Sequence, residues 1–144
     1  MDRSIDLQRF VEAQADAYET ALAELRRGRK TTHWMWFVFP QIAGLGRSSI
    51  ARFYAIGSLD EARAYVAHPV LGPRLIACAR TVNALEGRTA HAIFGSPDDL
   101  KLHSSLTLFA RAAPEEPVFA EALAKYFGGR LDTLTLDRLR VAAS

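Results

Sequence analysis

The run Arg29-Lys30-Thr31-Thr32-His33-Trp34-Met35-Trp36-Phe37-Val38-Phe39-Pro40-Gln41 gathers both tryptophans of the chain, two phenylalanines, a histidine and two cations. Indole rings stack on planar ligands, guanidinium and ammonium groups hydrogen-bond phosphates, and histidine titrates near neutrality. Arg29, Lys30, His33, Trp34, Trp36 and Gln41 are therefore candidate ligand-binding residues. Each also has a plainer role. Large aromatics usually fill a core, which suits Phe37 and Phe39, and a lone histidine more often makes an ordinary hydrogen bond. Arg26 and Arg27 suit the negative end of a helix dipole, whereas Arg29 and Lys30 lie beyond the capping Gly28 and are less simply explained. With polar Thr32 and His33 beside it, Trp34 is the expected site residue and Trp36 the expected core residue.

A second group follows Pro97. Asp98 and Asp99 suit the first turn of a helix and would repel a phosphate from that end. With a nucleotide they would face a ribose or base, or serve as the acid-base group, and Lys101 would supply a compensating cation. Asp98, Asp99 and Lys101 are the catalytic candidates; Ser104 and Ser105, one turn on, are ligand-binding candidates, as is Arg74 for a phosphate. These two segments hold the polar residues least explained by packing, so they are expected to line one pocket. The competing expectation is that Lys101, Asp98 and His33 satisfy one another.

Other chemistries lack their residues. His33, His68, His91 and His103 have no metal-ligand spacing, there is no Cys-x-x-Cys, and neither a G-x-S-x-G elbow nor a Walker A loop occurs. No metal and no cofactor is expected. Gly44-Leu45-Gly46-Arg47-Ser48-Ser49 approaches a dinucleotide fingerprint, but Ser49 replaces its third glycine and no βαβ unit surrounds it; a turn between helices is the better reading. A formal charge of +2 over 144 residues implies no polyelectrolyte role, so no nucleic-acid partner is expected. The lone Cys78 fits a reducing compartment. With no apolar signal core at the start and no membrane-length run, a cytoplasmic protein is expected.

The elements that must position these residues are helical. Leu7, Phe10, Val11, Gln14, Ala17, Tyr18, Ala21, Leu22 and Leu25 share one face of a first helix, capped by Asp6 or Ser4 and closed by Gly28. A short helix is expected from near Ser48. Another begins with the capping box Ser58-Leu59-Asp60-Glu61 and stops near Ala67, before Pro69. Leu71, Leu75, Cys78, Val82 and Leu85 form the next stripe, with Cys78 read as a buried structural thiol. Thr89 caps a short turn. Pro97 should open the helix of Leu102, Leu106 and Phe109; Pro117 precedes that of Phe119, Leu123 and Tyr126, and a leucine-rich turn ends the chain. Only Met35 to Phe39 has strand-like composition, and one strand makes no sheet. The expected fold is all-α: a compact single domain over 1–144, with about seven or eight mostly short helices.

Several blocks together resemble a known family. They are Leu7 to Gln14, Gly28 to Lys30 with His33 to Gln41, Gly44 to Gly46, Tyr54 to Ile56, His68 to Leu75, Ile93 to Gly95, and Asp98 to Ser105 with Thr107 to Phe109. The chain resembles the domain-of-unknown-function 1810 family, sometimes labelled calpastatin. The resemblance implies a compact, mostly helical domain with no established activity. Calpastatins are disordered inhibitors, whereas this chain is patterned for a core. The C-terminal half, with Asp98, Lys101, Phe109, Phe119 and Leu123, is also similar in rhythm to the NADAR family, which acts on ADP-ribose derivatives, although the front half lacks that family's Glu-His…Tyr-Gln helix. The expected function is binding, with or without hydrolysis, of a nucleotide-like or ADP-ribose-like small molecule. Trp34 or Trp36 would stack on the base and Arg29, Lys30 or Arg74 would hold the phosphates. The alternative is a non-catalytic protein-protein interaction module built on exposed aromatic rings beside cations.

Overall fold

The structure is a computed structural model that describes residues 6–143, so the proposed Ser4 cap lies outside the described residues. Nine helices occur among these residues: α1 (Gln8–Arg27), α2 (Met35–Val38), α3 (Ser49–Phe53), α4 (Leu59–Ala67), α5 (Leu71–Ala84), α6 (Ala90–Phe94), α7 (Asp98–Ala112), α8 (Pro117–Phe127) and α9 (Thr133–Ala143). No strand occurs among them; a lone parallel bridge joins Ile42 to Ile56. The fold is all-α. None of the helices is long and apolar enough to cross a membrane.

Helix α1 packs on α5 and α2, and α7 sits between α4 and α8 while also meeting α6 and α9. One apolar cluster results, with Phe10, Trp34, Phe39, Tyr65, Phe109 and Phe119 wholly buried. Gln14, on the buried stripe of α1, donates from Nε2 to the Phe37 carbonyl at 2.7 Å and to the Tyr65 hydroxyl at 2.9 Å, so its amide is not an orphan in the core. The Cys78 thiol is buried and free of disulfide.

Local signals end the helices much as their chemistry demands. Gly28 adopts φ 78°, and its N–H and that of Arg29 close on the carbonyls of α1. The Ser58 hydroxyl accepts from the Glu61 N–H at 3.1 Å, but the Glu61 carboxylate reaches the Gly57 N–H at 2.7 Å, one residue before the usual target of a capping box. Thr89 accepts from the Ala92 N–H at 3.0 Å. Pro97 caps α7 rather than occupying its first turn, which places Asp98 and Asp99 at the very start of the helix.

Met35 to Val38 departs from the expected extended segment and forms one helical turn, in which the Trp34 carbonyl accepts from the Phe37 and Val38 N–H groups. The extended pairing lies further on, where the Ala43 N–H donates to Ile56 and the Ile56 N–H donates to Gln41, both at 2.8 Å.

Candidate functional site

The turn between α1 and α2 is built around Glu24. Its side chain is buried at 2% exposure, one turn before the capping glycine. Oε1 accepts from the Thr31 N–H at 2.8 Å, the Thr32 N–H at 3.1 Å and the Trp34 indole Nε1 at 2.9 Å; Oε2 accepts from the Thr32 hydroxyl at 2.5 Å. Burial pushes the carboxyl group upward, but these donors outweigh it and hold the pKa at about 2. Glu24 is thus an anionic post around which the aromatic segment is wound. The helical stripe does not reveal it, because its role lies in bonds to residues seven to ten positions later.

Around this post two lysines converge on one aspartate. Lys30 Nζ lies 2.8 Å from Asp98 Oδ2, and Lys101 Nζ lies 3.5 Å from Asp98 Oδ1. Each ammonium also covers an indole: Lys30 sits 5.1 Å from the Trp34 ring centroid and Lys101 sits 5.2 Å from that of Trp36. The Lys30 side chain is only 7% exposed, so its charge is held between a carboxylate and an aromatic face. The cluster links the aromatic segment to the start of α7, and the Lys30 N–H fixes α6 to it by donating to the Ile93 carbonyl at 2.7 Å.

Trp34 and Trp36 are placed opposite to expectation. Trp34 is 1% exposed and edge-on to Phe94, whereas Trp36 is half-buried, 6.5 Å from the exposed His33 ring. Trp36, Gln41 and Lys101 border a crevice with Met35, Phe39 and Tyr54, but its volume is about 10 Å³, room for roughly one water molecule. Helix α3, which buries none of its five residues, contributes Ala51 to the edge of this crevice.

A wider concavity of about 400 Å³ opens where α1 ends beside α6. It is lined by Arg29, Lys30, Arg88 and His91 together with residues 92–95. Arg29 and Arg88 are exposed, and neither has a carboxylate partner among the described residues. The Arg88 side chain crosses the end of α1 so closely that a Cβ on Gly28 would lie 2.7 Å from its Nε. His91 Nδ1 is 3.4 Å from Asp99 Oδ2. Arg88 and His91 were not among the sequence candidates; the only signal in the sequence is their position on either side of the Thr89 cap.

The remaining candidates lie elsewhere. Arg74 lies over the Tyr18 ring at 4.7 Å and donates to Gln14 Oε1 at 3.5 Å. Ser104 donates to the Leu100 carbonyl and to Asp132 Oδ2, and Ser105 is wholly buried with no hydrogen-bond partner for its hydroxyl. None of the three lines the crevice or the concavity. No group of three His, Cys, Asp or Glu side chains capable of holding a metal occurs among the described residues.

The model of the family described as "protein of unknown function (DUF1810)" matches residues 4–139. The chain belongs to that family. A solved crystal structure, that of the conserved hypothetical protein Rv1873 from Mycobacterium tuberculosis, is 55% identical to this chain. The match covers 94% of this chain and 97% of the other, with a TM-score of 0.93. No curated protein matches. Membership in DUF1810 carries a fold without an activity, so a function for this member rests on its own side chains.

Proposed function

We propose that the protein binds a small phosphate-bearing molecule of the nucleotide or ADP-ribose class, with its phosphates in the concavity between α1 and α6. The observation that carries this reading is the concavity itself, about 400 Å³ lined by Arg29, Lys30, Arg88 and His91. That volume falls within the range of small-ligand sites. Counting Lys101 through its shared aspartate, four lysine and arginine cations face two carboxylates, Asp98 and Asp99. Arg29 and Arg88 have guanidiniums free to take phosphate oxygens in bidentate fashion. Lys101 and Trp36 lie outside the concavity, at the narrow crevice, and the partly exposed Trp36 ring, once Lys101 swings off it, is the surface proposed to stack a base or another planar group.

Binding fits the geometry better than hydrolysis. Both Asp98 oxygens are held by ammonium groups, and Asp99 accepts from the Leu100 N–H at 2.9 Å while facing His91. Every oxygen of the two carboxylates thus already faces a partner, which leaves none placed to take a proton from a bound water.

Thermal unfolding with ADP-ribose, NAD, AMP and inorganic phosphate, each at millimolar concentration, tests the reading. A ligand at 100 times its dissociation constant stabilises the fold by about 2.7 kcal/mol. The Arg88→Ala and Arg29→Ala variants are expected to lose most of the ligand-induced shift. Trp36→Ala should weaken nucleotides by roughly tenfold and spare inorganic phosphate. No shift with any of the four compounds refutes the proposal.

A further inference from the structure

Away from the basic concavity, α4, α7 and α9 enclose a groove of about 600 Å³ with a simple lining. Leu59 from α4 and Leu136 and Leu139 from α9 form its floor, and one arginine from each helix, Arg63, Arg111 and Arg140, stands at its rim. Further hollows adjoin it, one of about 280 Å³ reaching Ser58 and one of about 530 Å³ reaching Ala67, and Arg63 borders all three. Together they follow α4 from end to end, a length of about 14 Å for nine residues at 1.5 Å each.

The geometry points to a docking groove for an amphipathic helix of a partner protein whose apolar stripe is flanked by aspartate or glutamate. Charge complementarity selects that partner. Arg111, on which the selection rests, has no carboxylate partner among the described residues; Arg63 has only a loose contact to the exposed Asp60 at 3.4 Å, and Arg140 is already paired with Asp137 at 2.5 Å. Carboxylates brought by a ligand would meet these guanidiniums while its leucine-like side chains covered the floor. The shape favours a helix over a bilayer: a flat surface would reach the rim arginines and miss the leucines beneath them. The groove shares no residue with the concavity assigned to phosphates, so its test is independent of that reading.

Selection of a random phage-displayed peptide library on the whole protein, followed by fluorescence anisotropy with the enriched peptides, tests the proposal. The expected peptides carry apolar residues at three- and four-residue spacing with acidic flanks, and they bind less tightly as salt rises. Arg111→Glu, a substitution at an exposed position in the last turn of α7 that should lower the melting temperature slightly and leave the fold intact, is expected to weaken them by roughly tenfold or more. Failure to enrich any peptide, enrichment of basic or uncharged peptides, or equal binding to Arg111→Glu would overturn it. So would binding to phosphatidylglycerol vesicles without peptide binding, which would assign the arginines to a membrane. A concentration-dependent dimer broken by Arg111→Glu would assign the groove to a second copy of the chain and overturn it likewise.

Discussion

Replacing Glu24 by glutamine removes a charge and very little volume, so it isolates what the buried carboxylate does for the aromatic segment. Its lowered pKa gives its worth. A carboxyl group lowered from 4.5 to about 2 contributes on the order of 3 kcal/mol, at about 1.4 kcal/mol per pH unit. Against the upward push of burial, the cause of the lowering is the four hydrogen bonds Glu24 accepts. A bond to a charged group contributes about 1.5–3 kcal/mol and a neutral one about 0.5–1.5. Loss of charge from all four would sum to about 4–6 kcal/mol if they were additive, so it bounds the first figure from above. Because the folded pKa lies below the unfolded one, the stabilisation is complete above about pH 5 and disappears as pH falls toward 2. Urea unfolding followed by far-ultraviolet circular dichroism should show Glu24→Gln about 2–3 kcal/mol less stable at pH 7. The gap between the two proteins should narrow steadily below pH 5. A variant within 0.5 kcal/mol of the parent at pH 7, or a gap that does not change with pH, would refute the reasoning.

Trp34→Ala should destabilise by about 3–5 kcal/mol and Trp36→Ala by clearly less, under about 2, as measured by chemical unfolding. Gly72→Ala would drive its new methyl group into the Val66 carbonyl oxygen, backbone that cannot swing aside, and is expected to cost about 1–3 kcal/mol or more in the same assay. Burial pushes the Cys78 thiol up to about 12, against the smaller opposing pull of Arg26 and Arg74. The native protein should therefore resist Ellman's reagent at pH 8 and react only on unfolding.

Much of the helical framework was legible because its signals are local. The three-four stripe of α1, the Gly28 stop, the Ser58 and Thr89 caps and the Pro69 boundary each act within one or two turns, and each recurs in the structure. At α3 and α9 the sequence showed the helix but not its exposure. Ile50 and Phe53 are 40% and 59% exposed, and Leu134 in the leucine-rich final helix is 62% exposed. A short helix has too few residues for its periodicity to show which face meets the core. Arg88 and Glu24 were illegible for a different reason. Arg88 is placed by how the α5–α6 connection meets the end of α1, and Glu24 by how the chain turns back after α1 to bring Thr31, Thr32 and Trp34 to its carboxylate, relations that helical spacing does not encode.

The exchange of roles between the tryptophans follows from the change of backbone between them. Read as a strand, residues 34 and 36 fall on the same side, and polarity of the neighbours is all that separates them. In the structure Trp34 is the N-cap, with φ −139°, and Trp36 lies inside the helical turn that follows, so the alternation of a strand does not relate them. Trp34 turns inward to donate to Glu24 and pack on Phe94, and Trp36 is left half-buried. Each ring then presents a face to a different lysine, Lys30 at Trp34 and Lys101 at Trp36. Asp98, at the first position of α7, is where both ammonium groups meet. Of the four cations of the proposed phosphate site, the two lysines are the ones these contacts tie to the aromatic segment. Glu24, by holding Trp34 inward, leaves Trp36 as the partly exposed indole of the pair.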